Sequence, residues 1–226
     1  MHYFNSAFTE YFAALSANNN TTWFDANRRW YEKEVKYPFQ EFVDELIVQL
    51  KRIDPDINIE PQEAIFRINN DIRYSKEKIP YKPWMTANIS AVGKRSKEYP
   101  GFFIQANHEK LAIAGGVYCP ERETLIHIRQ QILQDPEGFR NAINDPLFKT
   151  TFIELDGELN KLLQPEFRKI AESLPEIGLK QFYFRKEYSP ETLYQKNLPE
   201  FLRKEFQAAT NLHLFLRRAF RLSVAA

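Results

Sequence analysis

Residues 66–83 read FRINNDIRYSKEKIPYKP, and an alternating apolar run breaks here into a dense set of polar side chains. Phe66 and Ile68 alternate with Arg67, as in a strand that buries one face. A strand would hold the Arg67 guanidinium more rigidly than a loop would. The residues of the segment that we single out as potential ion-binding groups are Arg67, Asp71, Arg73, Ser75, Lys76, Lys78, Tyr81 and Lys82. We therefore expect the functional site in this segment.

The positive charge of the chain is concentrated in the same region. Between Arg67 and Glu98 there are eight Lys or Arg and three Asp or Glu, a net charge of +5. The whole chain has 31 basic and 30 acidic residues, so the remainder carries 23 against 27, a net charge of −4. Such segregation favours an anionic partner, although a solvated lysine-rich hairpin would give the same charge. Pro80 and Pro83 favour the first interpretation, because each fixes its own φ and restricts its predecessor.

The composition is that of a folded, near-neutral protein. Its 226 residues allow one large domain or two small ones, and 43% of them are hydrophobic, which is enough for a sizeable core. The single Cys119 excludes an internal disulfide framework and is typical of a reducing compartment. No signal-peptide pattern opens the sequence, and no apolar run approaches the roughly twenty residues of a membrane helix. We therefore expect a soluble, cytoplasmic protein without a membrane partner.

Helical periodicity dominates both ends of the sequence. Its strongest case follows Pro38, a residue that suits the first turn of a helix. The apolar positions there, at three- and four-residue spacing, are Phe39, Phe42, Val43, Leu46, Ile47 and Leu50. Asp135 and Asp145 each precede a proline and are predicted to cap two short helices. The predicted helical regions are residues 1–55, 120–175 and 190–221.

Alternation of apolar and polar residues indicates the strands. They are predicted near residues 64–68, 85–91, 102–106, 111–118 and 181–188. Successive strands with short connections pair antiparallel. The sequence therefore predicts an α+β fold with a single domain over residues 1–226. Its curved, mainly antiparallel sheet has about five strands, in 62–118 and near 180–188, and helices from both termini pack against it.

Several familiar kinds of site are absent from the sequence. It has no glycine-rich phosphate loop, no H-E-x-x-H and no paired C-x-x-C, and its four histidines are scattered. We therefore expect no metal site and no cofactor. Ser75, with Lys78 three residues later, and Cys119, before a predicted helix start, are weak candidate nucleophiles. The residues alone do not decide whether the protein is an enzyme.

The remaining cluster favours the binding of phosphate or carboxylate. Arginine presents a planar fork that grips such anions through two hydrogen bonds, and Arg67 and Arg73 stand at opposite ends of the stretch that joins the first two predicted strands. We call this stretch, residues 67–82, the polar connection. Asp71 is then an orienting group that pairs with one arginine. The candidate anion-binding residues are Arg67, Asp71, Arg73, Ser75, Lys78, Tyr81, Lys82, Gly115 and Gly116.

The two glycines join this set because of the strand that they occupy. Gly115-Gly116 lets a ligand or another backbone come close, and the helix start at Pro120 offers free backbone N–H groups. If the strand of Arg67 lies beside this strand, the guanidinium and the helix start converge on one anion. In the alternative interpretation, the glycines form only a bulge.

Two other interpretations of the cluster stay open. It is an internal salt-bridge network that pins a long connection, or the protein is a non-catalytic module that docks an acidic partner or nucleic acid. Nucleic acid would contact Lys94, Arg95 and Lys97 in the basic loop at residues 93–101, although a near-neutral chain disfavours this partner. The sequence indicates no oligomeric state.

The sequence also resembles the domain of unknown function 2461 family over nearly its whole length. The most specific match is residues 65–82. Other matching positions are Asn18-Asn19, Trp23-Phe24, residues 28–31, Pro38, Pro100-Gly101-Phe102-Phe103, Gly115-Gly116-Val117-Tyr118, Pro120, Leu155 and Gly157. The resemblance implies a single α+β domain and no known activity. The family usually has arginine where this chain has Asn70, and often a small or polar residue where it has Pro83-Trp84.

Overall fold

The computed structural model describes residues 1–73, 78–94 and 98–222. Ser75 and Lys76 of the predicted site therefore lie outside the described residues, as do Arg95 and Lys97 of the basic loop. The helical elements of the N-terminal part are α1 (Ser6–Ala17), α2 (Thr21–Ala26), α3 (Arg28–Tyr31), a π-helical segment (Glu32–Lys36), α4 (Tyr37–Leu50) and α5 (Pro61–Ala64).

Helix α4 confirms the strongest periodicity of the sequence. Pro38 lies in its first turn, where a missing N–H breaks no hydrogen bond. All six apolar positions predicted for its inner face are buried. The Phe42 ring packs against Phe4, with 5.3 Å between the ring centroids, and lies 5.9 Å from Phe39. These rings form the centre of the N-terminal core.

Tyr11 of α1 carries a polar group into this core. The residue is fully buried, and its ring lies 5.3 Å from Trp30 and 5.7 Å from Trp23. Among the described residues, its hydroxyl has no hydrogen-bond partner. Burial raises the pKa of the Tyr11 phenol, so the group stays neutral at ordinary pH. A buried hydroxyl without a partner costs about 1–3 kcal/mol.

Tyr11→Phe is therefore expected to stabilise the protein by about 1 kcal/mol, because it removes the unpaired oxygen and keeps the ring. Urea denaturation measures the change in the free energy of unfolding. Tyr31→Phe is the matched control, since the Tyr31 hydroxyl has only a weak contact, 4.0 Å from the Met85 sulfur, and little change is expected. A loss of stability in Tyr11→Phe would mean that the hydroxyl is hydrogen bonded after all.

The described part of the chain forms one open, antiparallel sheet. Its strands, in both chain and spatial order, are β1 (Met85–Ile89), β2 (Gly101–Ala106), β3 (Leu111–Val117) and β4 (Phe182–Tyr188). The alternation of the sequence predicts each of them. The prediction that the strand near residues 180–188 returns to the sheet is confirmed, because β4 pairs with β3.

The strand predicted at residues 64–68 does not form, so the sheet of the described residues has four strands rather than about five. Ile65 and Asn69 make isolated bridges instead, with Ala87 and Tyr81. Between the two bridges, the three residues 66–68 lie opposite the five residues 82–86, so the two segments cannot pair residue by residue as in a regular ladder. The longer side contains Pro83, which has no N–H to donate. Arg67 therefore lies in an irregular segment.

The C-terminal part is mainly helical, as predicted. Its elements are α6 (Arg122–Gln134), α7 (Pro136–Ile143), α8 (Pro146–Phe152), α9 (Pro165–Ala171), two 3₁₀ helices (Pro175–Gly178 and Pro190–Tyr194), α10 (Leu198–Gln207) and α11 (Thr210–Leu222). The predicted caps are confirmed. Asp135 accepts a hydrogen bond from the Gly138 N–H at 2.9 Å, and Asp145 accepts one from the Leu147 N–H at 2.9 Å.

The chain divides into two compact units. The first is built mainly from Met1–Lys94 and contains the core around Phe42. The second is built mainly from Ala114–Lys186, and its core includes Phe139, whose ring lies 6.1 Å from Phe182. That the whole chain is a single domain stays a prediction.

Candidate anion-binding site

The polar connection is anchored at its base by Asn19. The Asn19 side chain donates to the Tyr81 carbonyl at 2.8 Å and accepts from the Tyr81 N–H at 3.1 Å. The Tyr81 ring, which is buried, stacks on Phe24 with 3.9 Å between centroids and 11° between planes. Tyr81 is therefore a structural anchor whose backbone and ring are both engaged. Nothing local in the sequence shows this role of Asn19, because its partner lies 62 residues away in the chain.

Asp71 pairs with one arginine, as predicted. The Arg73 guanidinium donates to both Asp71 oxygens, from Nε at 2.9 Å and from a terminal nitrogen at 2.6 Å. These bonds hold the pKa of the Asp71 carboxyl well below its usual range. Both side chains are exposed, so water screens the pair and its contribution to stability is small. The pair therefore fixes the direction of Arg73 more than it stabilises the fold.

Two lysines of the basic region bind backbone carbonyls. Lys78 donates to the Ile72 carbonyl at 2.7 Å. Lys94 donates to the carbonyls of Gln62 and Ile65, at the end of α5. Both ammonium groups thus have an internal role. Sequence reasoning assigned Lys78 to an anion and Lys94 to a nucleic-acid surface, because carbonyl partners set by the folded chain leave no local pattern.

Arg67 and Lys82 form the remaining cationic pair. The Lys82 ammonium donates to the Arg67 carbonyl at 3.1 Å and lies 5.7 Å from the centre of the Phe66 ring. The Arg67 side chain is exposed, and its guanidinium has no hydrogen bond or ion pair with any described residue. Burial, and then the charge of Arg67, lowers the pKa of the Lys82 ammonium. The Lys82 ammonium is therefore bonded to the backbone of Arg67 and lies within reach of the Arg67 charge.

A cleft with a volume of about 510 Å³ opens beside the connection. We call it the Trp84 cleft, and its lining residues are Ser16, Asn19, Asn70, Asp71, Ile72, Ile79, Pro83 and Trp84. Of the predicted anion-binding residues that the structure describes, Asp71 belongs to this lining and the cations do not. The polar groups of the cleft are therefore amides, a hydroxyl and a carboxylate.

Gly115 and Gly116 accommodate a neighbouring strand. A Cβ on Gly115 would lie 2.4 Å from the Phe184 ring, and a Cβ on Gly116 would lie 2.3 Å from the Phe182 carbonyl oxygen. Both neighbours belong to β4, so the close approach that the diglycine permits is made by this strand, through the Phe184 ring at Gly115 and the backbone at Gly116. A convergent site required the strand of Arg67 to lie beside the strand of Gly115-Gly116. It does not, because the Arg67 segment bridges to β1 whereas β3 pairs with β2 and β4.

Other reactive groups give no centre in the described part of the chain. No group of three or more His, Cys, Asp or Glu residues is placed there to hold a metal ion. Cys119 is exposed. A second cleft, with a volume of about 300 Å³, is lined by Glu98, Glu121, Glu123, Thr124, His127, Ala219 and Phe220. The sequence does not predict this cleft.

These elements place the chain in the α+β class, with one open antiparallel sheet among the described residues. A family model described as a conserved hypothetical protein (DUF2461) matches residues 7–215, and the chain belongs to this family. The resemblance seen in the sequence is thus confirmed. Neither a curated protein nor a solved structure matches the chain. Among the described helices, none is long and apolar enough to cross a membrane.

Proposed function

We propose that the protein binds a small anion, phosphate or carboxylate, through Arg67 and Lys82. The observation that carries this proposal is that the Lys82 ammonium bonds the Arg67 backbone carbonyl within reach of the Arg67 charge, while neither side chain forms an ion pair with a described residue. Like charges held together raise the energy of the folded state, and an anion bound between them relieves this repulsion. The Arg67 fork would give direction to the contact, and Lys82 would supply a second charge.

The rest of the described connection supports this division of roles. It contains the cations Arg67, Arg73, Lys78 and Lys82 and the single acid Asp71, so its charge is strongly positive even after the Asp71–Arg73 pair is formed. Arg73 and Lys78 fit the alternative interpretation of an internal network, because their hydrogen bonds are made within the connection. Nucleic acid has less support as a partner, since Lys94 is engaged with α5.

The expected affinity is modest. Two charge-assisted hydrogen bonds at a partly exposed site contribute about 3–5 kcal/mol. This corresponds to a Kd on the order of 1 mM for inorganic phosphate. A larger ligand would gain affinity from further contacts.

Arg67→Ala is expected to weaken phosphate binding by about tenfold or more, because it removes the directed half of the pair. At 50 mM phosphate the wild type should gain roughly 2 kcal/mol, or about 5 °C in Tm, and the variant should gain at most about half as much. Thermal unfolding in phosphate, compared with chloride at the same ionic strength, measures this difference.

Arg52→Ala is the matched control, since Arg52 is an exposed arginine of the same unit just after α4. It should respond to phosphate like the wild type. If Arg67→Ala and Arg52→Ala respond equally, phosphate binds elsewhere. If Arg67→Ala melts far below the wild type in chloride and phosphate stabilises neither protein, Arg67 is structural.

The pH profile of anion binding tests the role of Lys82. Because its pKa is lowered, the Lys82 ammonium deprotonates at a lower pH than an ordinary lysine, whose pKa is about 10.4. Sulfate affinity should therefore fall as the pH rises toward that value. Lys82→Arg should keep its affinity there, since arginine stays protonated. Calorimetric titration with sulfate, which holds a constant charge, measures both profiles. If the sulfate affinities of the wild type and Lys82→Arg depend on pH in the same way, Lys82 does not contribute its charge to the site.

A further inference from the structure

The Trp84 cleft has the lining of a site for a flat, polar ring. Trp84 is half-buried at its wall, and no aromatic side chain of the described residues stacks on its ring. Tyr81, three residues earlier, is by contrast stacked on Phe24. An aromatic face without a partner in a cleft is suited to stacking on a nucleobase. Pro83 and Ile79 add apolar contacts along the same lining.

Hydrogen-bond acceptors also belong to the lining. The Asn70 side chain donates to the Ile79 carbonyl at 3.0 Å, and its oxygen accepts no hydrogen bond from the described residues. Asp71 accepts from Arg73 and retains further lone pairs. These acceptors suit the amino groups of a base or the hydroxyls of a ribose. The cleft is thus complementary to the uncharged part of a nucleoside.

The cationic pair adjoins this cleft. Lys82 directly precedes Pro83 and Trp84 in the chain. Arg67 is close enough to Asp71 to help lower the pKa of its carboxyl, after the larger effect of Arg73. The volume of about 510 Å³ lies within the range of about 300–1,000 Å³ typical of small-molecule sites. A single nucleotide therefore fits this arrangement better than a polymer does.

We propose that the anion held by Arg67 and Lys82 is the phosphate of a nucleoside monophosphate whose base stacks on Trp84. This inference rests on the anion-binding function proposed above. Arg67 and Lys82 bind the phosphate, Asn70 and Asp71 accept hydrogen bonds from the nucleoside, and the Trp84 ring contacts the base. No bond is made or broken, so the assigned activity is binding alone.

Calorimetric titration with four probes tests this assignment: inorganic phosphate, ribose 5-phosphate, adenosine and adenosine 5′-monophosphate. The monophosphate should bind about tenfold or more tightly than ribose 5-phosphate, because only the monophosphate carries a base. Trp84→Leu should abolish this preference and leave the affinity for inorganic phosphate unchanged. Trp84→Phe, which keeps an aromatic face, should retain part of the preference. Tyr37→Leu, at an exposed aromatic residue of α4, is the control and should change neither affinity.

The outcomes separate this inference from the one on which it rests. If inorganic phosphate binds in an Arg67-dependent way but the monophosphate binds no better than ribose 5-phosphate, the nucleotide assignment is wrong and the anion site stands. If adenosine binds as tightly as its monophosphate, the phosphate contributes nothing to nucleotide binding and the nucleotide assignment is wrong; the anion site fails as well only if inorganic phosphate does not bind. A preference that survives in both folded Trp84 variants would place the base elsewhere and overturn the assignment.

Discussion

Gly116→Ala is expected to lower the free energy of unfolding by about 4 kcal/mol, through backbone strain and a steric clash. Gly116 has a φ of +94°, which an L-residue with a Cβ rarely adopts. The added methyl group would meet the Phe182 carbonyl oxygen at 2.3 Å and the Tyr183 Cα at 3.0 Å. These are backbone atoms of β4, so the strand itself must move away from β3. Thermal or urea unfolding should show a Tm lower by roughly 10 °C.

Gly93→Ala is the matched control for this effect. Gly93 also has a positive φ, of +72°, but a Cβ there would meet its nearest neighbour, the Glu63 carbonyl oxygen, at an ordinary 3.5 Å. Its expected loss is about 1–2 kcal/mol, from the left-handed conformation alone. The difference between the two variants therefore measures the clash with β4. Equal losses would contradict the close approach of the two strands at Gly116.

Arg129→Ala is the second variant for which a large loss is expected, about 3–5 kcal/mol. Arg129 lies on α6, is 5% exposed, and donates to the carbonyls of Ile177 at 2.9 Å and Leu179 at 3.1 Å. Among the described residues no carboxylate faces it, and burial alone lowers the pKa of its guanidinium. Alanine would leave both carbonyls without a donor and leave a cavity where the side chain packed.

Arg129→Met separates the two contributions, because it keeps an unbranched side chain in place and removes the donors. Arg129→Met should therefore lose less free energy of unfolding than Arg129→Ala, while still being less stable than the wild type. Arg122→Ala, at an exposed arginine in the first turn of the same helix, should change the free energy of unfolding by less than about 0.5 kcal/mol. Urea denaturation of the set is the measurement. A small loss in Arg129→Ala would show that water replaces the guanidinium at both carbonyls.

The sequence predicts the regular elements well because their signals are local. The i, i+3, i+4 spacing in α4 and the alternation in β1 to β4 arise from neighbouring residues that share one face. The position of Arg129 on the apolar side of α6 was also visible in the spacing. Its carbonyl partners were not, because they lie about fifty residues later in the chain.

The candidate site was predicted in outline and not in detail. The concentration of charge between residues 67 and 98 indicated where to look, and the pairing of Asp71 with one arginine, which proves to be Arg73, was predicted. The irregular course of residues 64–68 was not, because it depends on a change of register opposite Pro83 and Trp84. Nor were the roles of Lys78 and Lys94, which folded neighbours determine. A charged side chain shows its type in the sequence, whereas its partner depends on the tertiary structure.

These partners explain why the proposed site is smaller than the cluster from which it was predicted. Of nine candidate residues, Ser75 lies outside the described residues, Tyr81 is buried as an anchor, and Gly115 and Gly116 face β4. Arg73 and Lys78 make their hydrogen bonds within the connection, where Asp71 orients the first of them. Arg67 and Lys82 remain as the groups with which we expect an anion to make contact.

Crystallisation of the protein in phosphate or sulfate tests this contact most directly. Binding through Arg67 and Lys82 predicts a tetrahedral anion within about 3 Å of both the Arg67 guanidinium and the Lys82 ammonium. The same crystals of Arg67→Ala should lack it. An Arg67 guanidinium paired with a carboxylate of its own chain, with anions bound only at other places on the surface, would contradict the proposed function.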